Sequence, residues 1–161
     1  PVLDLTLHDR PVALRFEPGP NPVANLTTDL LREARSATLH YQAIGLQCGG
    51  EYVSQGILNG IALGDIPSAG GNETKGIWGE GAMPIGPDAI VSLDRVNHLV
   101  VDNPGRDCFK IRRFWIELEL GDGRRCTSRI STPTYTQPPE WLHAEGTGVP
   151  FGEPIRVEIR F

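Results

Sequence analysis

Three aromatic residues of this sequence lie in segments rich in glycine or proline. Trp78 lies among glycines, two positions before Glu80, whereas Tyr135 and Trp141 flank a Gln-Pro-Pro stretch. An exposed aromatic ring can stack on the C–H face of a sugar, and a neighbouring carboxylate can accept hydrogen bonds from sugar hydroxyls. Each ring could instead anchor its segment to the core, so both interpretations stay open.

A cation and a carboxylate, Arg106 and Asp107, directly follow the turn-forming sequence Asn103-Pro-Gly105. Planar charged groups on a loop suit the hydroxyls of a sugar, although the same two residues could form only a surface ion pair of small energetic value. The candidate ligand-binding residues are therefore Trp78, Glu80, Arg106, Asp107, Tyr135 and Trp141.

The histidines do not indicate a catalytic centre or a metal site. They are far apart in sequence, and none belongs to a nucleophile motif or to a metal-binding spacing such as H-x-H or H-E-x-x-H. We therefore predict no catalytic residue and assign no metal ligand. The four histidines are His8, His40, His98 and His143.

Acidic residues in predicted loops leave one enzymatic alternative open. Glu80, Asp65 and Asp107 could supply the two carboxylates that glycoside hydrolysis requires. Acidic side chains on loops are more often simply solvated. We therefore expect a protein that is not an enzyme, and a small enzyme of unrecognised type stays an alternative.

Composition excludes several classes of partner. The net charge is −5 and the basic residues are scattered, so no basic patch for nucleic acid is visible. No apolar run approaches the length of a membrane span. Three cysteines, Cys48, Cys108 and Cys126, lack metal-binding spacing. One disulfide with a free thiol and three free thiols are both compatible with the sequence.

Short strands are the elements that must position these residues. The 161 residues suit a single domain, residues 1–161, and 19 glycines and 14 prolines are spread along the chain as turns require. Alternation of apolar and polar residues predicts strands at residues 3–7, 12–16, 37–44 and 155–161. Asn59-Gly60, between two short apolar runs, predicts a tight hairpin with both turn residues at positive φ.

A change of phase interrupts the longest predicted strand. Its apolar residues are odd-numbered at Phe109 and Ile111 but even-numbered from Phe114 onward. One extra residue in a strand produces such a slip, so we predict a β-bulge near Arg112-Arg113. Trp115 has the opposite parity to Phe114 and is expected to face away from the core.

Only one segment has a helical pattern, and one other segment is irregular. Residues 28–35 predict a helix of about two turns, capped by Thr28 or Asp29. Residues 132–154 are rich in proline and glycine and predict a long surface loop. Eight to ten short strands with at most one short helix predict an all-β protein, an antiparallel β-sandwich of jelly-roll type.

The order of these features resembles that of galactose-binding-domain-like jelly rolls. In that superfamily a strand such as residues 37–41 precedes a hairpin with an Asn-Gly turn, here Asn59-Gly60. A late strand of alternating apolar and acidic residues matches residues 114–119. An Asn opens the last core strand, here Asn97, although the family commonly has glycine where this chain has Val96. The resemblance covers about residues 35–120.

The resemblance implies a non-catalytic, lectin-like binding module, most often for carbohydrate, that binds its ligand in the loops between strands. It also implies an extracellular or cell-surface location and a structural calcium ion, whose ligands the sequence does not identify. We expect a carbohydrate or protein partner, and the sequence is also compatible with an oligomer. The alternative is a structural or assembly subunit that contacts other proteins.

Overall fold

The computed structural model describes residues 26–161, and the strands predicted at residues 3–7 and 12–16 lie outside that range. Short strands dominate the described chain, together with two short helices, α1 (Thr28–Arg32) and α2 (Pro87–Ile90). The strands are β1 (Ser36–Ile44), β2 (Cys48–Gly49), β3 (Tyr52–Val53), β4 (Gln55–Leu58), β5 (Ile61–Asp65), β6 (Gly79–Ile85), β7 (Val96–Asp102), β8 (Phe109–Glu119), β9 (Arg125–Thr127), β10 (Thr134–Gln137), β11 (Thr147–Gly148) and β12 (Ile155–Arg160).

Two packed sheets form a β-sandwich, which confirms the all-β prediction. The six-stranded sheet has the order β11-β10-β8-β1-β6, with β9 also paired to β8. The four-stranded sheet has the order β12-β7-β4-β5, and β2 and β3 form a separate small hairpin. Neighbouring strands are antiparallel except β10 and β11, which are parallel.

The hydrophobic core lies between the two sheets and follows the alternation of the strands. Leu39 and Tyr41 of β1 are buried in it, as are Leu99 and Val101 of β7. The last strand repeats the pattern, since its apolar residues are buried and its charged residues are exposed. Removal of these apolar side chains from water is the main force that holds the sheets together.

The Asn59-Gly60 turn has the predicted geometry. It joins β4 to β5, and φ is 51° at Asn59 and 82° at Gly60. Both residues occupy the left-handed region, which Asn and Gly tolerate better than other residues.

The predicted bulge is also confirmed. The pairing of β1 with β8 shifts between His40 and Gln42, which oppose Trp115 and Arg112. Two residues of β8 therefore oppose one residue of β1, and Arg113 adopts a φ of 56°. This extra residue is the reason for the change of apolar phase along β8.

The helical predictions need two corrections. Thr27 caps α1 through its hydroxyl, which accepts a hydrogen bond from the Leu30 N–H, so the cap is neither Thr28 nor Asp29. The second helix, α2, begins at Pro87 and buries Ala89 and Ile90. The described chain therefore holds two short helices instead of at most one. The sequence did not reveal α2 because one turn of helix is too short to produce a periodic pattern.

The segment 132–154 is not simply a surface loop, because it contributes β10 and β11 to the six-stranded sheet. Gln137 is buried, and its Nε2 donates hydrogen bonds to the carbonyls of Pro150 and Glu153, each at 2.8 Å. Thr136 is also buried, and its hydroxyl donates to the Glu145 carbonyl at 2.6 Å. Polar side chains thus hold the segment in place, and their burial could not be inferred from its composition.

Candidate functional site

A cleft of about 660 Å³ opens at the end of the sandwich where β1 terminates, and we call it the loop cleft. Four parts of the chain form its walls: the end of β1 with residues 45–47, the loop 68–74, the turn 106–108, and two aromatic side chains. Of the six candidate residues, it brings together Arg106, Asp107 and Trp141.

The turn that carries Arg106 is held by a buried asparagine. Asn103 Oδ1 accepts a hydrogen bond from the Asp107 N–H at 3.0 Å, and Asn103 Nδ2 donates to the Asp107 carbonyl at 2.8 Å. Arg106 itself has a φ of 54°, and its guanidinium lies 5.0 Å from the Phe151 ring centroid. A Cβ at Gly105 would lie 2.0 Å from the Glu51 carbonyl, so the turn packs against the β2–β3 hairpin.

Asp107 shapes the wall of the loop cleft. Its side chain is buried, and Oδ2 accepts a hydrogen bond from the Gln47 N–H at 2.9 Å. Burial raises the pKa of this carboxyl, and hydrogen bonds from the backbone of Gln47 and Cys108 oppose that rise. Asp107 thereby joins the turn to the segment after β1.

Trp141 forms the aromatic wall of the loop cleft. The edge of its ring lies against Gly45, where an added Cβ would be 2.9 Å from Trp141 Cη2. Gly45 has a φ of 81°, so the absence of a side chain there both relieves backbone strain and admits the ring. The half-buried ring also makes an edge-on contact with His143, with 5.2 Å between ring centroids.

The sequence did not single out two further parts of the loop cleft. Tyr52 supplies a second aromatic ring, and the loop 68–74 closes the opposite side. A Cβ at Gly71 would lie 2.6 Å from the Ala43 carbonyl, so backbone packs directly on backbone there. The Gly70-Gly71 pair indicated a turn in the sequence, but only the fold shows that this turn lies over the end of β1.

Trp78 and Glu80 lie on the outer face of the six-stranded sheet instead of in the loop cleft. The Arg112 guanidinium stacks on the Trp78 ring, with 3.9 Å between its Cζ and the ring centroid, and Lys110 Nζ lies 5.2 Å from that centroid. Glu80 Oε1 accepts a hydrogen bond from Gln42 Nε2 at 2.6 Å. Trp78 is therefore a platform for cations from β8.

Tyr135 is placed apart from the other candidates. It pairs with Ile111 of β8 and packs, partly buried, against the hydrophobic core. Burial raises the pKa of its hydroxyl. We therefore leave Tyr135 out of the site that we propose below.

The three carboxylates considered for glycoside chemistry lie on different parts of the sandwich. Asp65 ends β5 in the four-stranded sheet and bonds to Gln55, Glu80 lies on the outer face of the other sheet, and Asp107 is buried in its turn. Within residues 26–161, no three or more His, Cys, Asp or Glu side chains come together as a metal site. The calcium ion that the resemblance implies stays a prediction.

The structure also bears on membrane spans and on the state of the three cysteines. No helix in the described part of the chain has the length and apolar character needed to cross a membrane. All three cysteines are free thiols: Cys48 is exposed, Cys108 is half-buried and Cys126 is buried. Of the two alternatives left by the sequence, the structure therefore has no disulfide among these residues.

A stacked histidine and tryptophan lie on the same outer face, on strands β1 and β8. The rings of His40 and Trp115 are nearly parallel, 8° apart, with 4.0 Å between centroids. Trp115 faces away from the core, as its parity predicted, but this stacking leaves it buried. His40 Nε2 lies 3.4 Å from Glu117 Oε2. Burial lowers the pKa of His40 below its ordinary 6.5, and the charges of Glu117 and Glu80 only partly oppose this.

We expect this histidine to make the protein less stable in acid. Because the native pKa of His40 is lowered, the unfolded chain binds its proton more readily, and stability is lost as the pH falls below 6.5. His40→Gln should therefore reduce the loss of unfolding free energy between pH 7.5 and pH 5.5 in urea titrations. The matched control is His98→Gln, which removes an exposed histidine from β7. A wild-type pH dependence in His40→Gln would contradict this role.

Comparison with known proteins does not assign the chain to a family. No protein-family model matches it, and neither the curated proteins nor the solved structures include a significant match.

Proposed function

We propose that this protein is a non-catalytic carbohydrate-binding domain of the galactose-binding-like type, with its glycan held in the loop cleft. The observation that carries the proposal is the convergence of Trp141, Arg106 and Asp107 on one cleft, although 34 positions separate Asp107 from Trp141 in the sequence. The position of the cleft among inter-strand loops supports the same conclusion.

The chemistry of the loop cleft suits a sugar. Its two aromatic rings, Trp141 and Tyr52, offer surfaces for C–H faces, while Arg106 offers planar N–H donors for hydroxyl oxygens. Polar residues of the loop 68–74, among them Asn72 and Glu73, also line the cleft. A volume of about 660 Å³ lies within the usual range of small-ligand sites, which is roughly 300–1,000 Å³, and has room for one or two sugar rings.

Replacement of Trp141 tests the proposal. A glycan array with the wild-type chain would identify a ligand, and calorimetry would then compare variants. Loss of a central aromatic contact costs about 2 kcal/mol, so Trp141→Ala should weaken binding roughly 30-fold, whereas Trp141→Phe should retain part of the affinity. Arg106→Gln should weaken binding roughly tenfold through the loss of charge-assisted hydrogen bonds.

Two matched controls separate this loss from general effects. Leu142→Ala is the first control, because Leu142 is next to Trp141 in the sequence, is 89% exposed and does not line the loop cleft. Arg156→Gln removes an exposed arginine from β12 in the other sheet. Both should bind as the wild type does, and thermal melting would verify that Trp141→Ala is folded. Unchanged glycan affinity in folded Trp141→Ala, or no glycan on the array, would refute the proposal.

Exposed apolar side chains favour a second candidate function, a contact with another protein. Leu142 is 89% exposed and Ile77 is 54% exposed, and both belong to segments beside the loop cleft. Exposed apolar side chains mark a protein interaction surface when they form one contiguous patch. Light scattering over a range of concentrations would detect self-association, which Leu142→Ala should weaken if this surface joins two copies of the chain.

A further inference from the structure

A second cavity, of about 570 Å³, lies on the outer face of the six-stranded sheet, and we call it the arginine cavity. It shares no lining residue with the loop cleft. Gln42, Arg112 and Thr134 are register partners on β1, β8 and β10, so they form one row across the sheet. The remaining polar side chains that line it are those of Arg113, Ser131 and Thr132.

The bulge is what brings both arginines to one cavity. In a regular strand, consecutive side chains point to opposite faces, and Arg112 and Arg113 would be separated by the sheet. The positive φ of Arg113 breaks this alternation, and both residues line the arginine cavity. The sequence predicted only a bulge at this pair, whereas the structure adds a shared concave surface.

Two contacts fix the orientation of the Arg112 guanidinium. One of its faces lies on the Trp78 ring at 3.9 Å, and its Nε donates to Gln42 Oε1 at 2.9 Å. Gln42 is itself held, because its Nε2 donates to Glu80 Oε1 at 2.6 Å. A guanidinium that is held in this way loses little further freedom when it binds a ligand.

The hydrogen bond to Gln42 uses only Nε of Arg112, and its two Nη atoms carry four further N–H donors. No described carboxylate lines the arginine cavity. The nearby Glu80 accepts from Gln42, and Glu145 Oε1 accepts from Lys110 Nζ at 2.5 Å. The cavity therefore offers the charge of Arg112 together with an oriented pair of planar donors.

The geometry points to the carboxylate of an acidic saccharide, such as a uronic acid residue, as the ligand of the arginine cavity. The planar edge of Arg112 matches the two oxygens of a carboxylate, and its positive charge adds attraction. Thr132 and Thr134 line the same cavity, and their hydroxyls suit hydrogen bonds with the hydroxyls of a sugar ring. This inference goes beyond the proposed function, because it requires no glycan in the loop cleft.

The test is a titration of the full chain, at low ionic strength, with methyl glucuronide and with the neutral methyl glucoside. The NMR signal of the Arg112 Nε–H group reports on the arginine cavity directly. We expect the glucuronide to shift this signal in a saturable manner and the glucoside to leave it unchanged. Arg112→Lys keeps the charge but lacks the planar pair of donors, so its affinity, followed by calorimetry, should fall about tenfold. Arg156→Gln should bind within twofold of the wild type.

Each alternative has a distinct outcome. Equal affinity in Arg112→Lys would overturn recognition by the guanidinium, and equal shifts with the glucoside would overturn recognition of the carboxylate. Acetate binding as tightly as the glucuronide would overturn the saccharide part of the inference. Should Arg112→Lys fail to fold, Thr134→Val provides the second variant, with an expected loss of about threefold, and an unchanged affinity there would also count against the site. Unchanged glycan affinity in Trp141→Ala would refute the proposed function and would leave these results unaffected.

Discussion

Substitution of alanine for Gly81 should destabilise this protein by about 3 kcal/mol or more, which corresponds to a fall in Tm of about 6–12 °C. Gly81 lies on β6 directly opposite Tyr41 of β1, and the tyrosine ring covers it. A Cβ at Gly81 would be 2.1 Å from Tyr41 Cε2 and 2.4 Å from Cζ. The ring must therefore move, and it has little room to do so.

Tyr41 is confined on several sides. Its side chain is buried, its ring lies 6.2 Å from that of Phe114 between centroids, and its hydroxyl donates to the Pro67 carbonyl. A displaced ring would disturb the core and leave a buried hydroxyl without its acceptor, and each effect costs roughly 1–3 kcal/mol. Overlap with Tyr41, rather than backbone strain, is thus the predicted cause.

A double-mutant cycle and a second glycine test that cause. Tyr41→Leu destabilises by itself, but Gly81→Ala added to it should cost less than about 1 kcal/mol in urea unfolding. Gly121→Ala is the control, because an added Cβ there would meet no atom within 4 Å. It should change stability by less than about 1 kcal/mol. Additive effects of Gly81→Ala and Tyr41→Leu would show that the ring is not responsible.

Alanine at Asn97 should lower the free energy of unfolding by about 3 kcal/mol, because several buried polar groups would lose their partners. Asn97 is fully buried at the start of β7. Its Oδ1 accepts hydrogen bonds from Asn59 Nδ2 and the Asp94 N–H, each at 2.9 Å. Its Nδ2 donates to the Asp94 carbonyl at 2.6 Å and to the Ile159 carbonyl at 3.4 Å.

This side chain therefore ties together three parts of the sandwich. It connects the β4–β5 turn, the loop before β7 and the last strand, β12, which pairs with β7. Asn97→Asp offers a sharper comparison, since a carboxylate can still accept two hydrogen bonds but cannot donate to the two carbonyls. It should therefore also destabilise, and less so at low pH, where protonation restores one donor. Urea unfolding at pH 7 and pH 5 would measure both effects.

The control for Asn97 is an asparagine of the same kind in an exposed position. Asn72 Oδ1 accepts one local hydrogen bond, from the Lys75 N–H at 3.0 Å. Asn72→Ala should cost about 1 kcal/mol or less. A cost for Asn97→Ala no greater than that of Asn72→Ala would mean that the hydrogen bonds of Asn97 contribute nothing beyond those of a surface turn.

Local features of the sequence predicted much of the fold. Apolar alternation located β1 and β12, and Asn59-Gly60 located the β4–β5 turn, because each depends on residues that are close in the chain. The bulge at Arg113 was visible for the same reason, as a slip of one residue in the apolar phase of β8. These predictions required no knowledge of which strands are neighbours.

The sequence did not predict which polar and aromatic side chains are buried. Residues 132–154 were predicted to form a surface loop because they are rich in proline and glycine. Thr136 and Gln137 of this segment are nevertheless buried, and each donates a hydrogen bond to a carbonyl several residues away. For Tyr135 the sequence left open a ring that binds a ligand and a ring that anchors its segment, and the pairing with β8 packs it, partly buried, against the core. Whether a polar or aromatic side chain is buried depends on what covers it, and that is a property of the assembled sheets.

Alternation and turn chemistry are local properties, so they were enough to predict an all-β sandwich and to nominate residues of types that suit a sugar. Which of these candidates lie together follows only from the folded chain. It brought Arg106, Asp107 and Trp141 into the loop cleft and placed Trp78 under Arg112 on the outer face. The physical reason is that a cavity is formed by segments far apart in the chain, whose relative positions follow from strand order and register rather than from the residues of any one segment.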